Sequence, residues 1–524
     1  MKKIFLLLVA LLALGAGAQA QDAAVPWWNE RVFYEIFVRS FYDSDGDGVG
    51  DLQGVIEKLD YLNDGDPATT DDLGITGIWL MPVAEALSYH GYDTLDYQQI
   101  EQDYGTAEDF QQLMAAAHER GIAVIVDLVI NHTSVEHPWF VMSAAEPQGA
   151  YGDYYVWAED SPGTTGWHEL SGRAYYGWFW GGMPDLNYTN PAVTDEMHEI
   201  ARFWLEEMGV DGFRLDAIKY IIEEGGQLES TPATLDWLAD FHAHVEAVKP
   251  DALMVGEVYS GSLEVEKYVP EAVDIAFEFD LAAMMIDSVR RRSSQSVLAI
   301  QQRALELYPP GQYAAFLTNH DQNRVMTELR GDVRAAKLAA SILLTNPGVP
   351  FIYYGEEIGM SGQKPDERIR TPMQWTDEAE TAGFSTRMPW QPLDANYARA
   401  NVAQQDDDPE SLLNHYRQLV HLRNAHPALQ HGEMWLVESP RQVYSFVRHN
   451  ADETLLVVIN LHTAEVMDYT LALAEGSLNG TLSAEVLFGA GEVAVPVVNA
   501  AGGFDEYTPL AVLPPRSTLV VKLQ

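Results

Sequence analysis

Cysteine is absent from the 524-residue chain. That excludes disulfides, thiolate metal sites, a lipidated cysteine and a cysteine nucleophile. Basic residues are scarce: 31 lysines and arginines face 78 aspartates and glutamates, a formal charge of −47. Such a balance argues against nucleic acid and against anionic membrane surfaces as partners. No internal repeat is visible, which sets aside solenoids and propellers. No glycine-rich dinucleotide loop is visible either. After the first twenty residues no stretch is long and apolar enough to span a bilayer.

Those twenty residues, MKKIFLLLVALLALGAGAQA, hold two lysines, an apolar run and the small-x-small end Ala18-Gln19-Ala20. They read as a signal peptide cleaved after Ala20, so the mature protein is expected to be secreted or periplasmic.

Hydrophobic content of 47% and charged content of 21% are those of a globular protein. Eight apolar segments stand out, at 32–41, 74–82, 122–132, 209–217, 251–259, 275–281, 314–321 and 349–359, most of them followed by a helical pattern. Continuous apolar runs suit parallel strands buried on both faces. Residues 107–120 put Phe110, Leu113, Met114 and Ala117 on one helix face, between Thr106 as N-cap and Gly121 as stop. Residues 191–208 open at Asn190-Pro191 and are expected to bury Met197, Ile200, Ala201, Trp204 and Leu205. Eight strand–helix units predict an α/β fold, a (β/α)8 TIM barrel, with a doubly wound sheet as the alternative. The long Tyr-, Trp- and Gly-rich stretch after strand three predicts a small insertion domain. From about residue 433 short strands follow without helices, predicting a C-terminal antiparallel β-sandwich. The expected division is a signal peptide at 1–20, barrel at 26–132 and 189–432, insertion at 133–188 and sandwich at 433–524.

In TIM barrels the reacting groups sit where strands end. Strand three ends Asp127…Asn131-His132, strand four Arg214-Leu215-Asp216, strand five Gly256-Glu257 and strand seven Asn319-His320-Asp321. Any one acid at a strand end can be a cap or an ion-pair partner. So many like charges gathered at one mouth are expensive without a use.

DLVINH, GFRLDA, GEV and TNHD, in this order and at these strand ends, resemble the motifs of the α-amylase family of retaining glycoside hydrolases. The resemblance covers nearly all of the chain after residue 20. It extends to RTPMQW at 370–375 and to MPDLN at 183–187, the latter resembling the branch between oligo-1,6-glucosidases and neopullulanases. It implies Asp216 as nucleophile, Glu257 as general acid and then base, and Asp321 as the group that holds sugar hydroxyls and supports ring distortion. Glu257 must start protonated, so its pKa should be raised. Retention implies about 5–5.5 Å between the two carboxyl groups. Arg214, two residues before Asp216 on a strand, points to the same side and can keep it ionised. The resemblance further implies that Tyr92 stacks under the sugar with His90 beside it and Asp93 in support. His132 and His320 would bind hydroxyls, and Arg370 would contact substrate. Ala217 and Lys219 match relatives that cleave α-1,4 bonds. The implied activity is therefore an α-amylase-type glycosidase on starch and maltooligosaccharides. The alternative is a cyclomaltodextrinase, α-glucosidase or transglycosylase (glucanotransferase, trehalose synthase) using the same site. Tyr175, Tyr176, Trp178, Phe179 and Trp180 offer either sugar platforms or local packing.

DSDGDGVGD at 43–51 spells the first nine positions of an EF-hand loop, with Asp43, Asp45, Asp47, the Val49 carbonyl and Asp51 as oxygen donors and Gly48 at the turn. Position 12 is Gly54 instead of a glutamate, and a strand precedes the loop. It is not an EF-hand. It resembles the structural divalent-ion loop after the first strand of oligoglucosidase-like family members, and the many hard ligands favour Ca2+ over Mg2+. Many α-amylases hold a further calcium between barrel and insertion, where Asn131 and Asp185 stand here; Tyr220 replaces the histidine that often assists.

Overall fold

The computed structural model describes residues 25–524, so the leader at 1–20 lies outside the described residues. The eight apolar segments form eight parallel strands: β1 Phe33–Ile36, β2 Gly77–Leu80, β3 Ala123–Leu128, β4 Gly212–Leu215, β5 Leu253–Gly256, β6 Ile275–Ala276, β7 Ala314–Phe316 and β8 Val349–Tyr353. Each strand pairs with its neighbour in sequence, β8 returns to β1 with Phe33 opposite Phe351, and a Phe277–Ala314 bridge joins β6 to β7. The sheet is therefore a closed barrel.

Alternate strand residues serve two cores, which is why the strands read as unbroken apolar runs. Phe33, Trp79, Ile125, Val255, Phe316 and Phe351 fill one cluster, where Phe33 and Phe351 stack at 4.7 Å. Tyr34, Ile78, Val124, Phe213 and Met254 belong to the larger layer shared with the helices.

Three elements depart from the sequence reading. The apolar run 32–41 pairs only over Phe33–Ile36; Val38–Ser40 then winds into a 3-10 turn. Its apolar residues are buried by aromatic neighbours instead of a ladder, Phe41 against Trp375 at 5.4 Å and Phe37 against Trp390 at 6.0 Å. The first helix splits into Leu52–Glu57 and Leu59–Leu62 around Lys58, whose ammonium sits 3.8 Å from the centre of the Tyr42 ring. The helix expected at 191–208 is α only over Pro191–Arg202 and continues as a π turn over Phe203–Glu207. The helix Ala107–Glu119 starts at Thr106 as expected, and Asp109 completes a capping box there.

Between β3 and the helix Pro191–Arg202 lies a small unit with the helix Pro138–Ala145 and a three-stranded sheet. A bridge from His132 to Asp185 ties it to the chain after β3, and one from Tyr155 to Leu186 lies within it. After the barrel, Glu433–Leu436, Val443–His449, Thr454–Asn460, Ser517–Leu523 and Ala484–Phe488 form a five-stranded antiparallel sheet in that order. Its faces divide by parity. Val443, Val447, Leu456, Val458, Leu519 and Val521 face the two-stranded sheet of Leu471–Leu473 and Phe504–Tyr507. Tyr444, Phe446, Leu455, Val457, Ile459 and Val520 join the barrel's own core. Fully buried Arg448 crosses the seam, donating to the carbonyls of Thr345 and Gly432, and beside it Arg423, on the barrel side, donates to those of Leu344, Asn346 and Gly348.

Candidate active site

The strand ends converge on one guanidinium. Arg214 on β4 is 0% exposed. Its Nη1 is 2.9 Å from Asp127 Oδ1 and 2.7 Å from Asp216 Oδ1, and its Nη2 is 2.9 Å from Glu257 Oε2. Parallel pairing sets this up: β3, β4 and β5 are neighbours in the barrel, with Asp127 opposite Arg214. Asp216 and Glu257 stand just past β4 and β5, where their side chains leave the ladder. Ala217 is the hinge between them. It adopts φ +52°, a left-handed conformation unusual for a residue with a Cβ, and its amide donates to Glu257 Oε2 at 3.1 Å.

Three carboxylates around one cation cannot all ionise cheaply. Burial pushes the Asp216 carboxyl up to about 6, with Arg214 opposing and Asp127 adding to the rise. Glu257 is raised as well, by burial first, against Arg214 and with Asp216 reinforcing. Asp127 is raised by burial too. The cluster thus holds protons more tightly than free carboxyls do, the direction a general acid requires.

Opposite stands a second group. Asp321 Oδ1 is 2.8 Å from Arg370 Nη2, and its Oδ2 is 3.3 Å from His320 Nε2. His320 Nδ1 in turn pairs with Glu35 on β1 at 2.5 Å. Burial works against ionising Asp321, but the His320 and Arg370 cations outweigh it and hold that carboxyl well below the usual range. Burial likewise disfavours a charged His320, yet Asp321 and Glu35 carry it up to about 9. An unfolded histidine titrates near 6.5. The stabilisation from this triad is therefore complete below pH 6.5 and lost as pH rises through about 9, roughly 3 kcal/mol in all. Urea unfolding followed from pH 6 to 9.5 should show this decline, and Glu35→Gln should flatten it.

Tyr92 connects the two groups. Its hydroxyl donates to Asp127 Oδ2 at 3.0 Å and meets His320 Nε2 at 2.7 Å. The His90 ring stacks beside it at 6.1 Å, and His90 Nδ1 accepts the Tyr92 amide. Asp93 accepts from the Ser88 amide and hydroxyl. His132 Nε2 meets the Tyr92 carbonyl at 3.1 Å, and burial drops its pKa to about 4, so it is neutral. Lys219 lies on the far side, 2.8 Å from Glu229 and 3.1 Å from the Tyr259 carbonyl.

A cavity of about 290 Å³ opens beside these groups, lined by Glu257, Asp321, Lys219, Phe179, Tyr259 and Phe279. A further hollow of about 490 Å³ runs on from Asp321 past Asn323 and Arg290. The aromatic cluster of the insertion divides. Tyr175 and Tyr176 are buried, whereas Phe179 packs its edge on His132 at the rim and Trp180 is 57% exposed.

Asp216, Glu257, Asp321, Tyr92, His90, His132, Arg214, Lys219, His320 and Arg370 thus gather around one mouth. Asp127, noted at the end of strand three but given no role, belongs with them, as do Glu35 and Tyr259, which were not among the candidates. The signal for the first two is an acid inside an apolar strand, in AVIVDL and FYEI; Tyr259 carried none beyond lying two residues after Glu257.

The loop 43–51 is separate. Carboxylate oxygens of Asp43, Asp45 and Asp51 lie within 4.8 Å of one another. Asp47 is not part of that group: its Oδ1 accepts the Val49 amide at 2.8 Å. Gly46 and Gly48 adopt φ +78° and +103°, and a Cβ on Gly48 would come within 2.6 Å of the Met388 carbonyl, so the turn needs glycine twice over. The clustered hard oxygens fit a calcium-like cation. Between barrel and insertion, Asn131 Oδ1 and Asp185 Oδ2 are buried without hydrogen-bond partners among the described residues. Burial, and next the charge of Glu223, push the Asp185 carboxyl well above its usual range. Orphaned oxygens beside a half-buried acid also fit a hard cation.

A closed barrel with paired carboxylates at its mouth and an aromatic-lined cleft defines a glycoside-hydrolase site. Residues 35–432 match the model of the alpha-amylase catalytic domain. The chain is 41% identical over 449 residues to Alpha-amylase 3 of Dictyoglomus thermophilum, covering 84% of this chain and 86% of that protein. It is 32% identical over 520 residues to the oligo-1,6-glucosidase of Parageobacillus thermoglucosidasius, with 83% and 90% covered. The crystal structure of an alpha-amylase from H. orenii superposes with a TM-score of 0.82 at 42% identity, over 94% of this chain and 99% of that one. The chain belongs to the alpha-amylase family of glycoside hydrolases.

Proposed function

We propose that this enzyme hydrolyses α-1,4-glucosidic bonds of starch and maltooligosaccharides with retention of configuration. The observation that carries the reading is the shared guanidinium: Asp216 and Glu257 sit on the two terminal nitrogens of Arg214, adjacent as a double displacement demands. In the first step the Asp216 carboxylate bonds to the anomeric carbon while Glu257 passes its proton to the departing glycosidic oxygen. In the second, Glu257 takes a proton from water, the hydroxide oxygen adds to the anomeric carbon and Asp216 leaves. Asp321, kept anionic by His320 and Arg370, accepts hydrogen bonds from sugar hydroxyls in both steps. The neutral His132, with Nε2 on the Tyr92 carbonyl and Nδ1 on Asn131, steadies Tyr92 beside that sugar in place of binding a hydroxyl. Tyr259 and Phe279 wall the leaving-group side. Ala217, Lys219 and the relative named Alpha-amylase 3 support α-1,4 over α-1,6 specificity.

The test is a product time course on starch, maltoheptaose, β-cyclodextrin and isomaltose, with the anomer read by NMR. α-Maltooligosaccharides from starch with isomaltose untouched are expected. β-Products or preferred isomaltose cleavage would overturn the reading, and longer oligomers from maltotetraose would move it to a transglycosylase.

Ca2+ is the cation proposed for Asp43, Asp45 and Asp51, with the Val49 carbonyl as a further donor, and for Asn131 with Asp185. In the loop its role is structural. Calcium at a hundredfold its dissociation constant adds about 2.7 kcal/mol. Chelation is therefore expected to lower Tm by several degrees while leaving the initial rate at low temperature nearly unchanged. A Tm indifferent to proven metal loss would refute this. The leader at 1–20 supports export of the mature enzyme.

A further inference from the structure

Arg370 lies in irregular chain just after the 3-10 turn Asp366–Arg368, so no helix or strand fixes its guanidinium. That guanidinium nevertheless holds Asp321, whose side chain is 42% exposed into the cleft. Arg370 Nε donates to the His320 carbonyl at 3.0 Å, which steadies the side chain; the backbone that carries it is fixed from elsewhere. The fully buried Ser40 hydroxyl donates to the Arg370 carbonyl at 2.7 Å, and the Ser40 carbonyl accepts the Met373 amide at 2.7 Å. One serine thus grips both ends of the 370–373 turn.

Ser40 is itself held. Trp390 Nε1 donates to Ser40 Oγ at 3.0 Å, which leaves the hydroxyl proton for Arg370. The Trp390 amide donates to the Gly48 carbonyl at 2.8 Å, and its ring packs on Phe37 at 6.0 Å and on Tyr89 at 5.2 Å. The segment leading to it is pinned to the acidic loop: the Asp43 amide donates to the Phe384 carbonyl at 3.0 Å, and Ser385 Oγ donates to Asp43. An unbroken series of bonds therefore runs from loop 43–51 through Trp390 and Ser40 to Arg370 and Asp321.

We propose that Ser40 and Trp390 are positioning residues which clamp the Arg370 backbone so that its guanidinium stays on Asp321, setting from outside the cleft how tightly the sugar is held. The inference rests on the reading of Asp321 as a sugar-holding group. Ser40→Ala deletes both bonds of the hydroxyl and Trp390→Phe deletes the indole donor while keeping a ring on Phe37 and Tyr89. Misplacement by 1 Å can cost about a hundredfold where geometry is decisive.

The experiment uses calcium-saturated full-length protein. It measures kcat/KM on maltoheptaose, the inhibition constant of a maltose-derived iminosugar, and Tm, for both variants alone and in an Arg370→Lys background. The expected result is a fall of about tenfold in kcat/KM for Ser40→Ala, with a parallel weakening of the inhibitor and little change in Tm. In the Arg370→Lys background the serine substitution should add almost nothing. A purely structural serine lowers the fraction of active enzyme but leaves the inhibition constant of the remainder alone. An unchanged inhibition constant in both variants, or full additivity with Arg370→Lys, overturns the proposal. Should Ser40→Ala fail to fold, Trp390→Phe carries the same comparison. Asp321→Asn separates the two claims: if it retains activity, the reading of the site has failed; if it is inactive while Ser40→Ala and Trp390→Phe behave as wild type, only the clamp has failed.

Discussion

Glu257→Gln is expected to lose about 10²- to 10⁴-fold in turnover of maltoheptaose, with the fold intact. The fold survives because a glutamine carbonyl can still accept from Arg214 Nη2 and the Ala217 amide, the two donors that Glu257 Oε2 uses now. It also removes one of three acids competing for a single cation. What is lost is the transferable proton. A glycosyl fluoride needs no proton to leave, so its first step should be nearly spared. The second step lacks its base, and a glycosyl ester should accumulate on Asp216. Intact-mass measurement after mixing with α-maltosyl fluoride would reveal the added glycosyl group. Wild-type turnover of maltoheptaose by the variant would end the assignment.

Arg214→Met should be the most damaging single change at the mouth. It leaves Asp127, Asp216 and Glu257 buried with no cation among them. Breaking a buried ion pair by removing one partner costs about 3–5 kcal/mol, and here three partners are stranded at once. The pH dependence carries the signature. Carboxyls whose folded pKa is raised contribute stability below their unfolded pKa and lose it as pH rises through the folded value. The variant should therefore be weakest near neutrality and recover on acidification more strongly than the wild type, in which Arg214 opposes the rise of all three carboxyls. Urea midpoints at pH 4.5 and pH 7.5 would test this. Arg214→Lys should rescue little, because Nη1 serves Asp127 and Asp216 together while Nη2 serves Glu257, and a single ammonium cannot reproduce that fork.

The barrel was legible because its strands are buried on both faces and so announce themselves as apolar runs. Four of them end in the groups gathered at the mouth, so the place of the candidate site followed from the strands. The ends of the elements were less legible. Residues 32–41 look like one strand because Phe37 and Phe41 are as buried as Phe33, although aromatic packing buries them. Asp127 was visible at a strand end but its role was not, since burial of an acid becomes meaningful only once Arg214 is known to face it. Ser40 left no trace at all. Its partner Arg370 is 330 residues away, and a small hydroxyl in a turn resembles any other. In the C-terminal segment, TLLVVIN alternates between the small sheet and the barrel, so its two-sided burial conceals which residue faces which.

The order of strands in that C-terminal sheet bears on how the molecule is made. Ser517–Leu523 follows Ala484–Phe488 in the chain yet inserts between it and Thr454–Asn460. During vectorial synthesis the sheet therefore has a gap at its centre until this segment emerges. Until then, Leu455, Val457 and Ile459 have a covering layer for the barrel but an unpaired flank. A nascent chain stalled shortly before residue 517 would present that flank to the first protein with a free strand edge. Deleting even a few residues of Ser517–Leu523 should yield aggregates in place of a shorter enzyme.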